Sequence, residues 1–259
     1  MRVVALLLAS ASAPLFACTP IASLPVTVSS PGQYCLTGDL SFIGSGAAIL
    51  IDADNVILDL RGYAISAGGP TSATAVQVSA STSFKLRNGQ IRSASKGLSC
   101  FTSSDVEVEG VQFQNVSNAI ATNQCSYVVI RNNRVFDSLG TAIQIGGSSV
   151  PAPEYVATIR GNEIAAVGGV SIATTAVVYG IHSEFASTII DRNFIGGVRG
   201  GSGSAGIRAG GGSLISDNLI VSVPTSVSCV PGSPSEKATR NVTTNGTPGF
   251  NSCLSQSNY

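Results

Sequence analysis

A short phrase returns along this chain at an irregular step, and it constrains the fold more than any other feature. It reads Val128-Val129-Ile130-Arg131-Asn132-Asn133, then Ala157-Thr158-Ile159-Arg160-Gly161-Asn162. It returns as Thr188-Ile189-Ile190-Asp191-Arg192-Asn193 and as Ser213-Leu214-Ile215-Ser216-Asp217-Asn218. The closing Asn recurs after 29, 31 and 25 residues. Each phrase is a β-prone run that stops at polar turn residues and resumes with apolar ones. That is the pattern of a solenoid whose coils stack one continuous core.

Earlier runs fit the same scheme: Ala47 to Ile51, Val56 to Leu60, Ala75 to Val78 and Phe84 to Arg87. Each coil offers about three short strands of period two, which pair only with their copies one turn away. A right-handed parallel β-helix of about seven or eight coils satisfies this pattern. Leucine is too scarce for leucine-rich repeats, and no amphipathic helix lies between the strands as an α/β fold needs. A β-sandwich has a similar strand count but does not explain one phrase recurring at coil length.

Asn133, Asn162, Asn193 and Asn218 have a structural task in such a solenoid. Asn tolerates left-handed backbone at a turn and can hydrogen-bond to its own copy in the next coil. Aligning the coils also predicts outward charge columns. Asp59, Lys85 and Glu107 fall in one, with Arg61, Arg87, Glu109 and Arg131 in another, so opposite charges meet across rungs about 4.8 Å apart. A binding strip for an acidic polymer would run along Arg61, Arg87, Arg131 and Arg160.

Fourteen basic and fourteen acidic residues leave no net charge. A nucleic-acid binder needs a basic patch to neutralise phosphates, so that class is disfavoured. Met1-Arg2, an apolar run from Val3 to Leu8 and small residues to Ala17 read as a signal peptide over 1–17. No later stretch is long enough to cross a membrane, so a secreted, extracellular protein is expected. The sequence carries no signal for an oligomeric state. The segment 18–46 reads as an N-terminal cap, 47–225 as the β-helix and 226–259 as a disulfide-bonded C-terminal cap.

Cys18, Cys35, Cys100, Cys125, Cys229 and Cys253 form an even set, which in an oxidising compartment implies disulfides. Fifteen connectivities are possible, and the spacing favours the local pairs 18–35, 100–125 and 229–253. With no CxxC and a single histidine, a zinc site of Cys and His is not supported. No dense acidic cluster favours calcium, and no cofactor is implied. Three sequons begin at Asn115, Asn241 and Asn245, which are acceptor sites for glycans in a eukaryotic secretory pathway.

The run Gly32-Gln33-Tyr34-Cys35-Leu36-Thr37-Gly38-Asp39-Leu40, followed by Ile51-Asp52-Ala53-Asp54-Asn55-Val56-Ile57-Leu58-Asp59-Leu60-Arg61-Gly62, resembles openings of pectin-lyase-like right-handed β-helix proteins. The resemblance covers most of the chain after residue 17 and rests on scaffold motifs. It implies the fold and a polysaccharide or cell-wall component as partner, but it selects no chemistry. The Asn-Thr-Asp, Gly-His-Gly and Arg-x-Lys motifs of polygalacturonase-like enzymes are absent, as is the Asp-Pro-His-Glu run of alginate epimerases.

One constellation remains. Coil alignment puts Gln144, His182 and Arg208 in one outward column, with Glu184 two residues beyond His182 and Tyr179 near the strand start. His182 as general base and Arg208 as partner of a carboxylate or enolate would suit β-elimination on a uronate. Glu184 would orient the histidine or hold a cation. Gln144, Tyr179, Arg131 and Arg160 are candidate substrate contacts, and Phe101, Tyr127, Tyr155, Tyr179 and Phe185 candidate sugar platforms. The loops 146–156 and 165–178 depart furthest from coil length, and such insertions on a solenoid mark a binding face. The competing class is a non-catalytic structural or adhesion protein.

Overall fold

The computed structural model describes residues 18–69, 73–146, 156–169, 176–184, 187–210, 212–230, 237–245, 250–251 and 253–256. The signal segment 1–17, Tyr155 and Phe185 lie outside the described residues, as do 147–155 and 170–175 of the two long loops.

All the strands join in parallel into a right-handed β-helix of about eight turns. Each turn has three faces. The first carries Val56–Asp59, Ser126–Arg131, Ala157–Arg160, Thr188–Asp191 and Leu214–Ser216. The second carries Arg134–Ser138, Glu163–Val167, Phe194–Val198 and Leu219–Val221. The third carries Gly46–Ile51, Ala73–Ser79, Ile143–Gly146, Tyr179–Ser183 and Ala205–Ala209. Two strands, Thr82–Phe101 and Ser104–Asn123, wrap all three faces without a break. Pairing also runs through both end segments. Gly32–Leu36 lies on Val56–Asp59, and Lys237–Thr239 continues the first face beyond Leu214–Ser216.

Alternation sends every second residue inward, where it stacks on its copy in the next rung. Leu58, Leu86, Val108, Ile130, Ile159, Ile190 and Ile215 form one buried column. Ile49, Val76, Leu98, Ile120, Ile143, Ile181 and Ile207 form another beneath the third face. Thr122 interrupts a neighbouring column between Cys100 and Ile145, and its buried Oγ1 has no hydrogen-bond partner. Replacing Thr122 by Val keeps the branched shape and removes the orphan hydroxyl. We expect it to stabilise the fold by about 1 kcal/mol, read as a raised thermal midpoint by circular dichroism. An unchanged or lower midpoint would refute that account.

The corner between the first and second faces divides between two residues the work expected of one. Left-handed backbone falls on the residue before each row Asn: Asn132, Gly161, Arg192 and Asp217 have φ of 56°, 64°, 54° and 56°. The row Asn side chains point inward and join in series. The N–H and Nδ2 of Asn133 donate to Asn162 Oδ1 at 3.0 and 3.1 Å, and those of Asn162 to Asn193 Oδ1 at 2.9 Å each. Asn193 repeats the pattern onto Asn218. Asn218 hands it to Asn241, which is fully buried and donates from Nδ2 to the Ile215 carbonyl. Asn241 is thus a further rung of the row, and the expectation of a glycan there is corrected: its side-chain amide is sealed in the core. Asn115 and Asn245 instead occupy one left-handed bend on the second face, with φ of 52° and 54°.

The charge columns are also corrected. Asp59 stands in register with Arg87, Glu109, Arg131, Arg160 and Asp191, while Lys85 and Glu107 share the column of Ile57. Arg61 sits in the left-handed corner with φ of 52°. Pairing across and along rungs follows: Asp59 with Arg87 at 3.0 Å, Glu107 with Lys85 at 2.8 Å and with Arg131 at 2.7 Å, and Asp191 with Arg160 at 2.9 Å. The Lys85 hydrogen bond, with help from Arg131, holds the Glu107 carboxyl below the usual carboxylate range.

The disulfides join Cys18 to Cys35, Cys100 to Cys125 and Cys229 to Cys253. Each links neighbouring turns.

Candidate functional site

The third face differs from the others in charge. Among the described residues, the strand segments that lie on this face hold no Asp or Glu, and Glu184 follows immediately after one of them. Outward residues form a column of Leu50, Gln77, Ser99, Ala121, Gln144, His182, Arg208 and Ser228. Gln144, His182 and Arg208 are thus on three successive rungs, as the coil alignment expects.

Small residues fix these strands against the core. A Cβ on Gly180 would lie 2.6 Å from Ile195 Cγ2, and one on Gly206 would lie 2.7 Å from Ile220 Cγ2. Glycine therefore lets the strands carrying His182 and Arg208 settle directly on the second-face core.

Tyr179 is buried, only 7% exposed, and unites the group. Its ring centroid is 4.8 Å from that of His182, and Arg208 Nη1 donates to its hydroxyl at 2.8 Å. The guanidinium carbon lies 5.5 Å from the tyrosine ring centroid, a cation–π distance. Arg208 Nε is buried with no hydrogen-bond partner. His182 Nε2 is 4.0 Å from Glu184 Oε1, beyond a hydrogen bond. Burial pushes the His182 imidazole below its ordinary range near 6.5; Glu184 opposes that shift and Arg208 adds to it. The result is a neutral imidazole beside a guanidinium whose charge no described carboxylate meets within 4.0 Å.

Other candidates lie elsewhere. Arg131 and Arg160 are on the first face, paired with Glu107 and Glu109 and with Asp191, so they do not join His182. Tyr127 opens a first-face strand and is exposed. Phe101 does belong to the third face, where the Lys96 ammonium stands 5.6 Å from its ring centroid. Sequence reasoning passed over Lys96, although the absence of carboxylates from these strands was a signal for it. Among the described residues, no three His, Cys, Asp or Glu side chains gather as a metal site, and no helix is long and apolar enough to cross a membrane.

A continuous parallel solenoid with a polar row along one face defines a β-helix protein of the kind that presents an extended surface. The family model of the right handed beta helix region matches residues 36–177, and the chain belongs to that family. No curated protein matches the chain. Among solved structures, the chain is similar to an alginate lyase from Paenibacillus sp. str. FPU-7, at 14% identity and a TM-score of 0.59 over 90% of this chain and 93% of that one. It is similar to a DFA-IIIase from Arthrobacter chlorophenolicus A6 without its lid, at 6% identity and 0.60, covering 88% and 61%. A Geobacillus virus E2 protein, ORF18, gives 10% identity and 0.62, covering 92% and 52%. The chain therefore spans little more than half the length of the last two. These likenesses establish the fold.

Proposed function

We propose that this is a secreted protein whose third face handles an acidic polysaccharide, with β-elimination as its chemistry. The observation that carries the reading is the pairing of a neutral His182 with Arg208 on adjacent rungs of a face whose own strand segments lack carboxylates. Arg208 would hold the uronate carboxylate, drawing off charge as the α-carbon loses its proton. His182 would take that proton. The C–H electron pair becomes the new ring double bond, the glycosidic C–O bond breaks, and the departing oxygen takes a proton from solvent. Glu184, too distant to hold the imidazole by a hydrogen bond, would tune its charge. The likeness in fold to an alginate lyase of similar length supports this reading.

Binding without chemistry is the second reading, favoured by that 4.0 Å gap, which leaves His182 without an orienting bond. The test is release of unsaturated product, followed by ultraviolet absorbance, from pectate, pectin, alginate and glycosaminoglycans with and without calcium. Product from an acidic glycan alone is the expected result. No product, together with no retention on immobilised acidic glycans, would overturn the proposal; retention without product would leave the binding reading.

A further inference from the structure

Most cations on the first and second faces are paired with carboxylates, Arg92, which meets Gln90, being an exception, and those of the third face are not. On the first and second faces, Lys85, Arg87, Arg131, Arg134 and Arg160 each meet a carboxylate within 4.0 Å. On the third face, Lys96 and Arg208 meet none among the described residues, and each stands beside an aromatic ring instead. An aromatic partner keeps a cation in place without neutralising it. Both third-face cations therefore retain their charge for an external anion.

A depression of about 200 Å³ runs along the face from Lys96 and Phe101 to Gln144 and Glu184. It exists because the outward column narrows there to Ser99 and Ala121, between the larger Gln77 and Gln144. Its far end reaches Glu184, the neighbour of His182. Lys96 pairs with Asn118, and the register then passes through the strands of Gln144 and His182 to that of Arg208. That is four rung steps, or about 19 Å at the spacing of paired strands.

We infer that Lys96 is a distal subsite for the carboxylate of an acidic glycan lying along the helix axis, with Ser99 and Ala121 as the floor of its groove. The inference rests on the reading of Arg208 given above and adds a length requirement to it. One sugar of an extended uronan advances the chain by roughly one strand spacing. A chain anchored at Arg208 therefore reaches Lys96 only with about five residues. Glu184, between the two cations, repels carboxylates, so the chain is gripped at both ends of the groove rather than along it.

The experiment is calorimetric titration of size-defined oligogalacturonates and oligoguluronates, from dimer to heptamer, into the His182→Ala protein to prevent turnover. Affinity is expected to step up near the pentamer. Adding Lys96→Gln should remove the step, weakening the longer chains about fivefold and leaving dimer and trimer unchanged. Ala121→Phe, an outward substitution that fills the groove without touching Lys96, should remove the same step. Lys85→Gln on the first face should have no effect, and far-ultraviolet circular dichroism checks the fold of each variant. Binding that is indifferent to length and to Lys96→Gln would overturn the distal subsite and leave the Arg208 reading standing. If no acidic oligosaccharide of any length binds, both fall.

Discussion

Asn162→Ala is expected to cost the fold about 3–5 kcal/mol, a large effect for an uncharged side chain. Asn162 Nδ2 donates to the Ile130 carbonyl at 3.0 Å and to Asn193 Oδ1 at 2.9 Å, while its Oδ1 accepts from the N–H and Nδ2 of Asn133. Alanine strands the Asn133 N–H, takes the second donor from the Ile130 carbonyl and breaks both side-chain links of the row, in a region no more than 2% exposed. Each orphaned buried group carries a desolvation penalty of about 1–3 kcal/mol. Urea titration followed by circular dichroism would show the shift. A loss below about 1 kcal/mol would mean that water replaces the amide and that the row is dispensable. Asn162→Asp sharpens the test because it keeps the shape but cannot donate. Its carboxylate would face acceptor oxygens in a buried site, so its folded pKa should rise above the unfolded value of about 3.9. The folded state then binds more protons than the unfolded chain between those two values. The variant should regain stability as pH falls through the raised pKa, the reverse of an ordinary paired aspartate.

His182→Ala should lower kcat/KM on the responsive glycan by about 10²–10⁴, the usual contribution of a positioned general base. The pH dependence gives an independent reading. Only neutral imidazole can accept the proton, and burial holds its pKa below the ordinary value. The acid limb of kcat/KM should therefore lie below about pH 6.5, with activity rising through the folded pKa to a plateau. Glu184→Gln removes the influence that raises the His182 pKa, so the limb should move to lower pH. Weakening Arg208 removes one that lowers it, so the residual activity should show a limb at higher pH. The same shift affects folding. The unfolded chain binds the proton more readily than the native state, so this contribution is complete above pH 6.5 and lost as pH falls towards the folded pKa. Two limbs that both stay fixed would remove His182 from the base role.

Which parts of this were legible in the sequence follows from where the coils carry a marker. From Asn133 onward each turn ends its first face with the same Asn, so aligning the phrases also aligns Gln144, His182 and Arg208. Asn241 closes one more phrase, Ala238-Thr239-Arg240-Asn241, yet its overlap with a sequon drew it into a different reading. Upstream, Gly89 and Val111 fill the row position, and Thr82–Phe101 and Ser104–Asn123 cross three faces without a break. With no marker there, coil alignment puts Asp59 two residues away from its true column and gives Lys96 no rung. The division of labour at the corner was hidden for another reason. Asn serves both left-handed backbone and amide stacking, so its presence does not say which task it performs. Only the neighbours Arg192, Asp217 and Arg240, which hold the left-handed position without being Asn or Gly, make the separation visible.

The amide row has a direction. Each Asn from Asn133 to Asn218 gives its backbone N–H and one Nδ2 hydrogen to the Asn of the next coil and takes none back from it. Its Nδ2 also donates to a carbonyl of the preceding coil. The amide-to-amide links therefore run one way, like a zip. At the start, Asn133 Oδ1 accepts the Val111 N–H at 3.0 Å, and the row goes no further because Val111 carries no side-chain amide. Duplicating a whole coil between Asn193 and Asn218 should thus lengthen the rod without a fault, whereas duplicating part of one would leave donors facing nothing. Each link joins a coil to the one that follows it in the chain, so a coil's forward donors find their acceptor only when the next coil is in place.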